Sequence, residues 1–409
     1  MPVLFIHGVN TRKESKDYAS TLEVIKQLMQ AHFTGLTING KTLNTVAPIF
    51  PYWGDLGTSF AWDMASLPSA DELESLGAAG TEEHIRLLIA AVKDGTGQDI
   101  LNEDEPLTAL AQSSFPQAVE VVCDLLMNES GAGSTPAQNA TAIIKLQEYV
   151  DAHARPDWID QVNTDAQFLD QLLYHAQQEG NEGHEALGGI FDGVANAIRR
   201  GAQRLKSAVT GAAGAVADRA GDFASTKLLA SNRRSLNATL GRFFGDVFVY
   251  LDTRGDKNDP GEIPQRILDA IDQAVADGPA DEPLVIMGHS LGGVITFDLL
   301  SHYRPDLEVD LFISVGSQIS HFEEIKRFHV SDTTVPNAVE LRASKPNNIR
   351  RWINVFDMVD IFSYACEDVF DDVEDFHYDT KTYVIKSHSA YYQQKRYYER
   401  LRQRINPVT

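Results

Sequence analysis

The chain has 409 residues, 43% hydrophobic and 23% charged, a balance typical of folded globular proteins that excludes a disordered or fibrous chain. Its 58 acidic against 35 basic side chains leave a formal net charge of −23, which opposes attraction to polyanions, so nucleic acid is not an expected partner. Cys123 and Cys366 are the two cysteines, too few for a disulfide framework or a thiolate zinc site.

Met1-Pro2 lead directly into the apolar run Val3-Leu4-Phe5-Ile6, which reads as a buried strand and not as a signal peptide, since a basic n-region and a cleavage site are missing. No apolar stretch reaches the ~18 residues a spanning helix needs. The expectation is a soluble, cytoplasmic protein. The first strand ends at His7-Gly8, and helical spacing follows through Leu22, Ile25 and Met29. Residues 45–53 (TVAPIFPYW) read as a second strand, bent or at an edge because of the prolines.

From 55 to 244 strand-like runs vanish and helical periodicity takes over, with helices expected at 82–92, 116–127, 137–152 and 165–178. Alternation then resumes: strands at 247–251 (VFVYL), 283–287 (PLVIM), 311–315 (LFISV) and 352–356 (WINVF), a last one at 382–385, and a helix at 264–275. Such alternation predicts an α/β fold, a mainly parallel sheet with helices on both faces. The core is split, 1–54 plus 245–409, around an all-helical insertion at 55–244 that would serve as a lid or cap.

Gly288-His289-Ser290-Leu291-Gly292-Gly293 contains G-x-S-x-G, in which a serine sits on a tight strand-to-helix turn and the glycines let the chain pass closely. A chain of this length holds such a pattern by chance roughly once in ten, so its flanks decide. Here the apolar run PLVIM enters the motif and VITFDLL (294–300) leaves it, as a nucleophile elbow requires. Ser290 is therefore the candidate nucleophile. A serine hydroxyl needs a base, and His388, in a polar segment after the last expected strand, is the best placed of the 12 histidines. The histidine needs a carboxylate to fix its tautomer. Asp360 is preferred, with Asp357 as the alternative, because Asp357 follows WINVF so closely that it can serve to cap the turn. One N–H donor to the oxyanion is expected from Leu291, the residue after the nucleophile.

FIHGVN, VIMGHSLGG, WINVFDMVD and KSHSAYY, in that order, resemble the α/β-hydrolase superfamily and its lipase- and esterase-like members. The resemblance covers about half the chain, the split core. It implies hydrolysis of carboxylic esters, less often thioesters or amides, through an acyl-enzyme and without a cofactor or metal. It also implies that the HG loop supplies Val9 N–H as the second oxyanion donor, with His7, Gly8 and Asn10 shaping that loop and Gly288 and Gly292 shaping the elbow. The loop continues as Val9-Asn10 and not as a glycine-rich HGGG, a departure from the hormone-sensitive-lipase type.

The leading expectation is a lipid-like or apolar acyl ester as substrate. The alternatives are a hydrolase of a polar or protein-bound ester or thioester, and a membrane-binding or scaffold protein with a dispensable triad. The acidic run Glu367, Asp368, Asp371, Asp372, Glu374 and Asp375 lacks the spacing of a calcium loop and reads as a solvated loop. Within 190–223, Val194, Ile198, Leu205, Val209, Val216 and Phe223 recur at helical spacing, and 186–245 carries nine Lys/Arg against three acids. That pattern fits either a lid helix packed on a core or peripheral membrane contact.

Overall fold

The computed structural model describes residues 3–66, 104–128, 134–178, 188–216, 223–382 and 384–406. In chain order, β1 (Val3–Ile6) and α1 (Tyr18–Phe33) are followed by α2 (Pro106–Ser113), α3 (Phe115–Asn128), α4 (Pro136–Ala152), α5 (Asp165–Gln178), α6 (Gly188–Val216) and α7 (Phe223–Thr253). Then come α8 (Glu262–Asp277), β2 (Val285–His289), α9 (Leu291–Asp298), β3 (Leu311–Val315), α10 (Ile319–Glu324), β4 (Trp352–Phe356), β5 (Glu374–His377), α11 (Val384–Ala390) and α12 (Lys395–Ile405). Two compact units result: 1–12, 26–60 and 241–409 in one, 13–25 and 61–240 in the other. The division thus falls a few residues from 54 and 245, and the first half of α1 groups with the helical unit.

The first unit is α/β. Its five strands run parallel in the spatial order β1-β2-β3-β4-β5. All residues of β1, β2 and β3 are buried, as strands covered on both faces must be, and this is why they read as unbroken apolar runs. Because the strands are parallel, all their C-terminal ends lie along one edge, where open α/β sheets assemble their sites.

Four expected elements differ. Residues 45–53 contribute only one bridge to the edge of β1, Ile49 opposite Leu4, with Phe5 N and Ile49 N each donating a hydrogen bond across it; Pro48 and Pro51 lack the donors for a longer ladder. Residues 247–251 lie inside α7. Their neighbourhood is buried at Phe243, Asp246 and Tyr250 while Phe244 and Phe248 are exposed, a helical period disguised because one inward position is an aspartate. Of the strand expected at 382–385, Thr382 lies outside any strand and Val384 begins α11, while residue 383 lies outside the described residues. The acidic run is not wholly a solvated loop, since Glu374 and Asp375 begin β5, a half-buried edge strand whose charges suit an exposed edge. There Glu374 pairs with Arg351 at 2.6 Å, and Asp375 accepts from the backbone N–H of Cys366 and Glu367 and from Asn354 Nδ2.

The second unit is helical throughout its described secondary structure. Thr135 and Gln138 form a capping box at the start of α4 with Pro136 in its first turn, and Phe115, Tyr149, Trp158 and Phe168 build its aromatic centre. In α6, Val194, Ile198, Leu205 and Val209 are buried. An ideal Cβ on Gly201 would sit 3.1 Å from Leu125 Cβ, so this stretch of the apolar stripe packs on α3 within its own unit. Arg199 pairs with Asp170, and Lys206 with Glu105. The side chains of Val216 and Phe223 and the expected helix at 82–92 lie outside the described residues. No helix among the described residues is long and apolar enough to cross a membrane.

Candidate active site

The strand β2 ends at His289, and α9 begins at Leu291. Ser290, between them, is forced to φ 53° and ψ −128°, a region that costs a non-glycine residue about 1–3 kcal/mol and persists only where its surroundings hold it. They do: Ser290 N–H donates to Val315 O at 3.0 Å, and Ser317 Oγ donates to Ser290 O at 2.9 Å. The turn packs without room for side chains. A Cβ on Gly292 would lie 2.2 Å from Ile6 O, and one on Gly288 would lie 2.6 Å from Gly293 Cα.

Three side chains from three places in the chain converge here. His388 Nε2 lies 2.9 Å from Ser290 Oγ, and His388 Nδ1 lies 3.0 Å from both carboxylate oxygens of Asp360. A carboxylate beside Nδ1 holds the proton on that nitrogen, leaving Nε2 to accept from the serine hydroxyl. Asp360 comes from the turn after β4, where Phe362 N–H donates to its Oδ1 and Tyr391 Oη–H donates to its Oδ2 at 2.8 Å. Asp357, the alternative, faces away: its Oδ2 accepts from Thr380 N and Oγ1 and its Oδ1 from Val359 N. It holds the loop that Asp360 occupies. His388 sits within α11, after β5, and not on a loop after a strand at 382–385.

The HG loop follows β1 beside the serine, so close that a Cβ on Gly8 would lie 2.6 Å from Ser290 Cβ. His7 is buried and its pKa is pushed down to about 4, chiefly by that burial. Its neutral ring accepts from Trp53 N–H at Nε2 (3.1 Å), donates from Nδ1 to Gly8 O (2.9 Å), and stacks on the Trp53 indole at 4.8 Å. Thr11 Oγ1 also donates to Gly8 O at 3.1 Å. In a trans peptide the N–H points opposite the C=O, so two bonds on Gly8 O orient Val9 N–H. Asn10 turns the loop back at φ +57°. Leu291 N–H lies in the first turn of α9, where backbone donors have no intrahelical acceptor.

Sequence reasoning missed several groups around this constellation. His289 Nε2–H donates to the backbone O of His388 at 2.6 Å, and burial first, then the neighbouring His388, push its pKa down to about 3. Phe243 stacks on Phe362 with ring centroids 4.4 Å apart, and the two rings lie 6.3 and 5.2 Å from the His388 ring. Met358 and Ile361 are exposed on the turn that carries Asp360. The SHSAYY segment placed an aromatic three residues after the histidine, but nothing in it said that Tyr391 turns back to the aspartate.

Neither a model of a known protein family, nor a curated protein, nor a solved structure matches the chain.

Proposed function

We propose that the chain is a serine hydrolase of the α/β-hydrolase kind that cleaves carboxylic esters through an acyl-enzyme. The observation that carries this is the unbroken run from Ser290 Oγ through His388 to Asp360, with contacts of 2.9 and 3.0 Å, at the C-terminal edge of a parallel sheet. Ser290 Oγ attacks the ester carbonyl carbon while its proton passes to His388 Nε2. Asp360 stabilises the imidazolium and keeps its own charge. Negative charge develops on the carbonyl oxygen, facing the N–H groups of Val9 and Leu291. Collapse expels the alcohol, which takes the proton from Nε2, and water repeats the sequence in reverse to release the acid and restore the serine.

The Phe243 and Phe362 rings beside His388, with Met358 and Ile361 on the adjacent turn, favour an apolar acyl group over a polar one. The helical unit enters the chain between β1 and β2, as a lid or cap insertion would. The test is labelling with a fluorophosphonate, which needs an activated serine, followed by an ester panel of increasing chain length. Wild type should be labelled and Ser290→Ala should not, with turnover lowered about four or more orders of magnitude. Equal labelling of both proteins removes the assignment.

A further inference from the structure

The α/β unit contains a buried carboxylate that the hydrolytic steps do not use. Asp246, on α7, is 0% exposed and meets Arg12, 19% exposed, in a two-pronged pair: Nη2 to Oδ1 at 2.6 Å and Nη1 to Oδ2 at 3.2 Å. The same two oxygens accept Asn10 N–H at 2.8 Å and Thr58 N–H at 2.7 Å. A Cβ on Gly57 would come within 2.5 Å of Asp246 Oδ1 and 2.6 Å of Arg12 Nη2, so the chain closes over the pair with no room for a side chain. An aspartate this deep is retained only if all its acceptor sites are filled by donors of fixed position, and here two of the donors belong to the loop between Gly8 and Arg12.

Resting on the hydrolase reading above, we infer that Asp246 is the positioning residue of the oxyanion hole. Val9 lies between two anchored peptide units. On one side Gly8 O accepts from His7 Nδ1 and Thr11 Oγ1; on the other Asn10 N–H, in a left-handed backbone conformation, is held by Asp246. The first anchor fixes the plane of the peptide that bears Val9 N–H. The second stops the loop from relaxing out of its φ +57° turn, a region that asparagine enters more readily than most side chains but still at a cost to the backbone. Asp246 touches neither substrate nor triad, so its effect on the reaction passes through the direction of one N–H.

An oxyanion donor acts on the tetrahedral state far more than on the bound ester. Asp246→Asn and Arg12→Gln should therefore lower kcat by about 10- to 100-fold with KM changed less than about twofold. Affinity for a trifluoromethyl ketone, whose serine adduct carries the oxyanion, should fall in parallel with kcat. A purely structural role would lower the thermal midpoint without coupling analogue affinity to kcat. If Asp246→Asn fails to fold, Arg12→Gln, which alters the more exposed partner, carries the comparison. A folded variant with unchanged kcat and analogue affinity, or with its whole loss in KM, overturns the inference alone. Wild type that neither labels at Ser290 nor turns over any ester overturns the hydrolase reading and this inference together.

Discussion

The hydroxyl of Tyr391 donates to Oδ2 of Asp360 at 2.8 Å, while the histidine that the same carboxylate orients lies three residues earlier in the chain. In the proposed mechanism one short segment thus carries both the base and a brace for the base's partner. Tyr391 is fully buried, and its phenol is pushed far above its usual pKa, first by burial and then by the Asp360 charge, so it remains a donor across the working pH range. Tyr391→Phe removes one donor from Asp360 and leaves the packing intact. The expected result is a kcat about tenfold lower, the equivalent of about 1.4 kcal/mol in the barrier, with the hydroxyl's loss visible in steady-state kinetics and KM little changed.

The two carboxylates after β4 should separate cleanly. Asp360→Asn leaves the imidazole free to take the wrong tautomer and should cost about four orders of magnitude in kcat while the protein still folds. Asp357→Asn disturbs a carboxylate that bonds Thr380 and Val359. It should cost stability of about 1–3 kcal/mol and a much smaller share of activity. Denaturant unfolding beside kinetics reads both quantities, and a reversed order would transfer the orienting role to Asp357.

Gly316, just after β3, has φ +55°, and an ideal Cβ there would lie 3.0 Å from Asp360 Oδ2, 3.2 Å from the Tyr391 ring and 3.5 Å from His388 Nδ1. Gly316→Ala therefore combines a backbone penalty of about 1–2 kcal/mol with pressure on the aspartate-histidine contact. The prediction is a lower unfolding midpoint together with a reduced kcat. Loss of stability with full activity would show that the triad yields to the extra methyl at no cost.

How far such groups could be read beforehand depends on whether their signal is local. The strand into Ser290 and the helix out of it were legible because both are continuous apolar runs flanking a glycine pattern, and that pattern reflects close approaches to Ile6 O and Gly293 Cα. Asp360 was preferred to Asp357 on spacing alone, and the hydrogen bonds distinguish their partners. β5 was hidden because an edge strand exposes one side and fills it with charge, so EDFH reads as a loop. Residues 247–251 misled in the opposite sense: Val-Phe-Val-Tyr-Leu has strand composition, but its helical burial period is visible only once Asp246 counts as an inward position. That in turn requires knowing that Arg12, more than 200 residues away, comes to meet it.

The two buried histidines of the site should set the acid limit of stability. Burial is the leading cause that holds His7 near pKa 4 and His289 near 3, against 6.5 for an unperturbed histidine. Both are neutral donors to carbonyls, His7 to Gly8 O and His289 to His388 O, and His7 Nε2 must stay unprotonated to accept from Trp53 N–H. Their folded pKa values lie below the unfolded one, so below pH 6.5 the unfolded chain binds more protons than the folded chain. Unfolding free energy must then rise with pH through that window. The contribution of each histidine is complete above about 6.5 and is lost as pH falls, toward about 4 for His7 and about 3 for His289, with a slope of at most about 1.4 kcal/mol per pH unit for each. Urea unfolding between pH 4 and 7 checks this. His289→Gln keeps a donor to His388 O without a titrating ring, so it should flatten the slope by up to one histidine's share while changing stability at pH 7 less. An unaltered slope in that variant would mean that His289 does not gain its proton on unfolding, and the acid sensitivity would have to be assigned elsewhere.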